Sequence, residues 1–158
     1  MKDENIPITD SVRASLSKFD GVWQRVTGTQ NDNPLRDFIR DELCTASYNM
    51  ALARRLTGHA RAVLTAQAAS ARRRARRLRA ELFIRSGEVY APEERCAAPD
   101  AKPLPALRKA YERGTAAAAA YDKAAETADG DLAAMAEAFA AERRSEAQAL
   151  RALIAAYF

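Results

Sequence analysis

Apolar residues recur at helical spacing along the chain, and groups of turn-forming residues separate them into five segments. The first segment carries apolar residues at positions 12, 16, 19, 23 and 26, which is the spacing of an amphipathic helix. Gly28 and the run TQNDNP that follows it predict where this helix ends. We therefore expect a short N-terminal helix and linker over residues 1–34, followed by a larger domain over residues 35–158.

Four longer helices are predicted after this linker. They cover residues 35–57, 59–86, 104–128 and 132 to near the end of the chain. Gly58 and Gly87 are expected to end the first two, because glycine readily adopts the left-handed conformation that closes a helix. Four prolines between residues 92 and 105 exclude a single helix there, whereas the link at residues 129–131 is short. The pattern predicts an all-α fold of two antiparallel hairpins joined by a long crossover.

Several charged residues fall on faces that should point into the bundle. Heptad spacing places Ala71 and Arg74 on the inner face of the second long helix. Glu42 falls on the inner face of the first, and Arg143 and Glu146 fall on that of the last. Two acids and two bases sum to zero charge, and buried charges persist only when they are paired. We expect these four charged residues to form a buried ion-pair cluster, with Glu42 paired to Arg74 and Glu146 nearest to one of the arginines.

Four stretches of the chain resemble the rubrerythrin branch of the ferritin-like superfamily. They read LRDFIRDELCTASYNMALARRL, ARAVLTAQAASARRRARRLRAELFIRSGE, LRKAYERGTAAAAAYDKAAE and LAAMAEAFAAERRSEAQALRALI, and they cover most of residues 35–155. The resemblance implies a ferritin-like antiparallel four-helix bundle with one long crossover. In that family, the first and third bundle helices each supply one Glu to a pair of iron ions. The second and fourth each supply Glu-x-x-His.

The ligand positions implied by this resemblance are mostly changed. They fall on Glu42, Ala71, Arg74, Gly114, Arg143 and Glu146. Glu42 alone keeps its identity, and Glu146 puts a carboxylate where the family has an imidazole. Two iron ions need several carboxylates and imidazoles to neutralise their charge, whereas Arg74 and Arg143 bring positive charge. The resemblance thus implies a vestigial site, and we expect no metal, no cofactor and no catalytic residue.

Composition narrows the class of protein. The chain has 158 residues, 48% of them hydrophobic, and a formal charge of +4, with the basic excess concentrated at residues 72–79. No aromatic residues alternate with these arginines, so a solvated helix surface is a simpler interpretation than binding to a nucleic acid or a membrane surface. No run approaches the ~20 apolar residues of a membrane helix, and no signal-peptide core follows Met1. We expect a cytoplasmic protein with no membrane partner.

Other candidate residues carry weaker signals. Cys44 and Cys96 lie far apart without a CxxC motif or a nearby histidine, so neither a zinc site nor a disulfide is predicted. His59 follows a glycine and has no acidic neighbour in sequence, so it is not expected to bind metal. Three tyrosines on the predicted helices are interpreted as amphipathic core residues: Tyr48, Tyr111 and Tyr121.

The favoured interpretation is a degenerate rubrerythrin-like protein, non-enzymatic, with a structural or interaction role. One alternative is an iron-binding oxidoreductase that handles peroxide or iron, with a shifted ligand set: Glu42, Glu112, Glu142 and Glu146. Glu112 lies two positions off the inner face, and no histidine falls within a bundle helix, which weighs against this alternative. A second alternative is a module whose basic helix binds an acidic partner or nucleic acid. Pairing of two copies into a homodimer is compatible with each.

Overall fold

The computed structural model describes residues 33–93 and 95–157, which form four helices. They are α1 (Pro34–Ala53), α2 (Gly58–Ser86), α3 (Pro103–Thr127) and α4 (Gly130–Ala155). These residues contain no strand, so the prediction of an all-α bundle is confirmed. The expected N-terminal helix and linker lie outside the described residues, apart from the last two positions.

The four helices pack as two hairpins. α1 packs along α2 and α3 along α4, while α1 also contacts α3 and α2 contacts α4. Residues 54–57 and 128–129 form the two short links, and residues 87–102 cross from one hairpin to the other. None of the described helices is both long enough and apolar enough to span a membrane.

Local sequence explains where these helices begin. The Asn33 side chain accepts a hydrogen bond from the Leu35 amide at 3.0 Å, which satisfies one of the free N–H groups at the start of α1. Pro34 occupies the first turn of α1 and Pro103 that of α3. Proline is tolerated there because its missing N–H would have no partner within the helix.

The end of α1 differs from the prediction. The helix ends at Ala53, and Gly58 begins α2 with a φ of 59° instead of closing α1. Two tight turns follow, in which the amides of Arg55 and Leu56 bond to the carbonyls three residues earlier. These turns bring Leu56 back into the core, where it is 8% exposed. The apolar side chain thus stays on the inner face although the helix has ended.

The core consists of two apolar clusters separated by a polar layer. One cluster, near the α1–α2 link, includes Leu52, Leu64 and Leu107. The other, near the opposite end, includes Ile39 and Leu82. On α1, α2 and α4, the charged positions predicted to face inward lie between the two clusters in sequence. Tyr157 lies beyond the end of α4 and is 50% exposed.

A disulfide joins Cys44 on α1 to Cys96 in the crossover, so the prediction that these residues are unpaired was wrong. The two residues are 52 positions apart in sequence, yet their Cα atoms lie 5.1 Å apart because the crossover returns over the middle of α1. Disulfides persist in oxidising compartments and are rare in the cytosol. The cytoplasmic location therefore stays a prediction, and the disulfide counts against it.

Polar contacts also hold the crossover in place. Arg36 of α1 pairs with Glu88 at 2.7 Å, and Arg79 Nε donates a hydrogen bond to the carbonyl of Tyr90 at 3.0 Å. Arg79 was expected on the solvated face of α2, but this bond holds it half-buried. At the far end, Arg55 donates to the carbonyl of Asp100 at 2.7 Å.

Candidate functional site

The middle of the bundle contains a charged layer, which we define as Glu42, Arg74, Arg143 and Glu146. Glu42 comes from α1, Arg74 from α2, and Arg143 and Glu146 from α4. Glu42 and Arg74 have no exposed area, and Arg143 is 2% exposed. Helical spacing brings them inward because each lies three or four residues from an apolar core position on its own helix.

Arg74 contacts carboxylates from two other helices. Its Nη1 and Nη2 donate to the two oxygens of Glu146 at 2.9 and 3.0 Å, which is the bidentate arrangement that suits a guanidinium. Nη1 also donates to Glu142 Oε2 at 3.0 Å. Nε lies 3.0 Å from Glu42 Oε1, outside hydrogen-bond geometry, so this contact is an ion pair without a hydrogen bond. One buried cation is therefore surrounded by three carboxylates.

Arg143 is held by longer contacts. Its Nη2 donates to Thr45 Oγ1 at 3.3 Å. The nearest carboxylate oxygens lie 3.5 Å away on Glu146, 3.6 Å on Asp41 and 3.8 Å on Glu42. Arg143 Nε has no hydrogen-bond partner within the described part of the chain. This guanidinium therefore contributes charge to the layer more than it contributes directed bonds.

Glu42 is the carboxylate that both arginines share. Its Oε1 accepts a hydrogen bond from the Tyr121 hydroxyl at 2.8 Å and faces both guanidinium groups. Its Oε2 is buried and finds no partner among residues 33–93 and 95–157. Tyr121 stacks on Phe38 with 4.3 Å between ring centroids, which fixes the direction of its hydroxyl.

The surroundings shift two pKa values in the layer. Burial opposes the charge on Arg74, but the hydrogen bonds to Glu146 and the negative charge of Glu42 outweigh it, so the pKa of Arg74 is raised. Burial raises the pKa of Tyr121, and the nearby Glu42 carboxylate raises it further. Arg74 therefore remains a cation and Tyr121 a neutral donor at any physiological pH.

Two of the positions implied by the resemblance carry no polar side chain but lie in the same layer. Ala71 has no exposed area and precedes Arg74 by one helical turn. Gly114 of α3 is buried opposite α4, where a Cβ atom would lie 3.4 Å from the Cβ of Ala147. The small residues at these positions let the helices approach closely around the guanidinium groups.

The residues of the layer do not fit a pair of iron ions. Arg74 and Arg143 occupy two of the six implied positions, and Ala71 and Gly114 offer no donor atom. Within the described residues, no group of three or more His, Cys, Asp or Glu side chains is placed to hold a metal ion. His59 is exposed at the start of α2, fifteen residues or about 22 Å along the helix from Arg74.

The shifted ligand set is not brought together either. Glu112 has a side chain that is 51% exposed, and it bonds to Arg108 on the surface of α3 at 3.2 Å. Glu142 lies at the rim of the layer, 38% exposed, and bonds to both Arg73 and Arg74. An iron site built on these two residues would have to break both sets of contacts.

Other side chains contact the charged layer and were not predicted to do so: Asp41, Thr45, Tyr121 and Glu142. Two of them carried a signal in the sequence. Tyr121 was interpreted as a core residue, yet its hydroxyl also donates to Glu42. Its position seven residues after Gly114 on the same inner face was a signal that could have found it. Glu142 was considered solely as an iron ligand, although it lies one helical turn before Glu146 and so could reach the same arginine.

No protein-family model matches the chain, and neither a curated protein nor a solved structure is significantly similar to it. The resemblance to rubrerythrins therefore depends on the residue pattern alone.

Proposed function

We propose that this chain is a degenerate rubrerythrin-like protein in which an ion-pair layer stands where the relatives place two iron ions. Its role is to provide structure or to bind a partner, and not to catalyse a reaction. The observation that carries the proposal is the position of Arg74, which contacts Glu42 from α1 and Glu142 and Glu146 from α4. In a metal centre, the bound cations neutralise carboxylates that come from separate helices. Here the buried guanidinium group of Arg74 neutralises them instead.

The chemistry of a guanidinium supports a non-enzymatic role. It has no acceptor atoms and keeps its proton, so it cannot work as a general base. All its donor nitrogens face carboxylates, which leaves no open position for a substrate or an oxidant. Tyr121 is equally unsuited to acid–base chemistry, since its raised pKa keeps the hydroxyl protonated. What the layer can do is to cross-link α1, α2 and α4.

The first test measures iron directly. The purified full chain is incubated aerobically with ferrous iron, passed over a chelating column and analysed for metal, with absorbance recorded during the incubation. We expect substoichiometric iron and no new absorbance band, because the arginines repel cations from the layer. Stoichiometric iron that survives the chelator would overturn the proposal and favour the oxidoreductase alternative.

The second test restores the implied ligands. A variant carries five changes: Ala71→Glu, Arg74→His, Gly114→Glu, Arg143→Glu and Glu146→His. If the positions derive from a rubrerythrin-like site, this variant should bind cobalt(II) tightly, with the absorption of a carboxylate and imidazole site. The matched control places the same residue types on exposed positions of the same helices: Ala69→Glu, Arg72→His, Thr115→Glu, Arg144→Glu and Gln148→His.

Helicity measured by circular dichroism shows whether each variant folds. Metal binding by the folded restored variant but not by the control supports a rubrerythrin-like arrangement of these positions. Weak binding that is equal in both folded variants would contradict it. Should the restored variant not fold, the iron measurement on the unaltered chain still decides the proposed function.

A further inference from the structure

The outer face of α2 carries a basic cluster that is mostly unpaired. Arg72, Arg73, Arg76 and Arg77 are all exposed. Arg73 pairs with Glu142 at 2.9 Å, whereas the other three make no ion pair or side-chain hydrogen bond within the described residues. No acidic residue of α2 itself compensates the charge, because Glu81 is the one acidic residue of this helix and it pairs with Arg85. A positive field is therefore left facing outward.

Exposed apolar side chains lie at the end of the same helix. Phe83 is 56% exposed and Ile84 is 76% exposed, and Val89 just after the helix is 84% exposed. Tyr157 completes the set of large hydrophobic residues exposed in the described part of the chain. Three of the four are thus gathered within seven residues, a concentration that single exposed side chains scattered over a surface would not produce.

The basic and apolar parts share one side of α2. At 100° per residue, Arg73, Arg76, Phe83 and Ile84 fall within a single arc, opposite the arc that holds the buried residue Ala71. Phe83 follows Arg76 by seven residues, which is two turns or about 10 Å along the helix. We call these six residues the outer face of α2: Arg72, Arg73, Arg76, Arg77, Phe83 and Ile84.

We propose that the outer face of α2 docks on the surface of a bilayer that contains anionic phospholipids. Guanidinium groups bind phosphate oxygens in a bidentate manner, and an aromatic and an aliphatic side chain beside them can enter the headgroup region. These side chains share the outward side of one helix, so they can contact a flat surface together. Docking of this kind needs no membrane-spanning helix.

Two other anionic partners fit the same face less well. A nucleic acid would satisfy the arginines, but it would leave Phe83 and Ile84 exposed, since Ile84 cannot stack on a base. An acidic protein would need a groove that matches both parts of a convex helix. The sequence alone pointed to the arginines of this helix, and the structure adds that Phe83 and Ile84 are exposed beside them.

Vesicle co-sedimentation of the full chain tests the proposal. Vesicles of phosphatidylcholine alone are compared with vesicles that contain phosphatidylglycerol, at low and at high salt. We expect binding to the anionic vesicles that falls steeply as salt is added. The variant Arg72→Ser/Arg76→Ser/Arg77→Ser should lose at least tenfold in affinity, and the variant Phe83→Ser/Ile84→Ser should also lose binding although its charge is unchanged.

A matched control removes the same charge elsewhere, with Lys109→Ser/Lys123→Ser/Arg151→Ser on the exposed surface of α3 and α4. This control should retain most of the binding. Failure of the unaltered chain to bind anionic vesicles would overturn the proposal, as would an equal loss in the control. Binding to a DNA duplex that the Phe83→Ser/Ile84→Ser change leaves intact would overturn it in favour of a nucleic acid. The tested residues lie outside the charged layer, so these outcomes are independent of the iron measurements.

Discussion

Arg74 is the largest side chain in the described part of the chain that has almost no exposed area. Removing a guanidinium from water costs several kcal/mol, and that cost is offset here by the Glu42 ion pair and by hydrogen bonds to Glu142 and Glu146. A buried pair of this kind does not make a protein more stable than a well-packed apolar core would. Its loss is nevertheless costly, because the remaining partner is left charged and buried.

Glu42→Gln tests this argument with little change of shape. The amide oxygen can still accept from Tyr121, whereas Arg74 and Arg143 lose the charge they share. We expect the free energy of unfolding at pH 7 to fall by about 3 kcal/mol, as measured by urea denaturation. The control is Glu112→Gln, which removes half of an exposed pair on α3 and should cost less than about 0.5 kcal/mol. A loss as small as that of the control would contradict a charged layer that stabilises the bundle.

Tyr121→Phe tests the contribution of the hydroxyl group separately from that of the ring. The substitution leaves the stacking on Phe38 in place but removes the donor to Glu42, so we expect the free energy of unfolding to fall by about 1.5 kcal/mol. Tyr111→Phe is the matched control on α3, because Tyr111 is partly buried and makes no side-chain hydrogen bond within the described residues. Equal effects of the two substitutions would argue against the bond to Glu42.

The raised pKa of Tyr121 also predicts a dependence on pH. A phenol whose pKa is higher in the folded than in the unfolded state contributes stability that is complete below its unfolded pKa of about 10 and is lost as the pH rises further. Between pH 10 and 11, the free energy of unfolding of the unaltered chain should therefore fall by up to about 1.4 kcal/mol more than that of Tyr121→Phe. Urea denaturation at a series of alkaline pH values measures this difference, and parallel curves for the two proteins would contradict it.

At the scale of the helices, the apolar pattern was sufficient to place all four. The residues predicted to face inward on α1 and α2 are all buried: Glu42, Ala71 and Arg74. Helical spacing is enough to decide which side of a helix faces its neighbours. The end of α1 was misplaced because Leu56 continues the apolar pattern after the helix has stopped. Spacing indicates which side chains face inward, but it does not indicate where the backbone changes conformation.

Gly114 lies where α3 and α4 pack closely but still leave room for a methyl group. It lies in the middle of α3, where glycine costs about 0.5–1 kcal/mol relative to alanine, and a Cβ atom would meet Ala147 at an ordinary contact distance of 3.4 Å. We therefore expect Gly114→Ala to raise the free energy of unfolding by up to about 1 kcal/mol in urea denaturation. Gly87→Ala provides the contrast, because its φ of 69° is strained for any residue with a Cβ, and it should destabilise. A clear loss of stability in Gly114→Ala would mean that α3 and α4 have no room to accept the methyl group.

At the scale of the whole molecule, some contacts between residues far apart in sequence were predicted, such as Glu42 with Arg74, and others were not. The charged residues of the layer could be named in advance, since each lies on a predictable inner face. The contribution of Glu142 was missed although its position one helical turn before Glu146 was a signal, because which side chain it reaches depends on how α4 rotates against α2. The Cys44–Cys96 bond was missed for the same reason: its two partners meet through the path of a crossover that has no periodic pattern.

The disulfide closes a long loop that contains the link to α2, all of α2 and half of the crossover. Cross-linking residues 52 positions apart restricts the unfolded chain, which on the chain-entropy model is worth about 4 kcal/mol. We expect Cys44→Ala/Cys96→Ala to lower the free energy of unfolding by about 2 to 4 kcal/mol, which is typical for the loss of a disulfide. The bundle should remain folded at about 25 °C. Urea denaturation of the oxidised chain, the reduced chain and the double variant measures the effect. The reduced chain should match the variant, and mass spectrometry after alkylation should count two protected cysteines without reductant. Two alkylated thiols in the unreduced, folded chain would contradict the bond. They would also remove the disulfide as an argument against a cytoplasmic location.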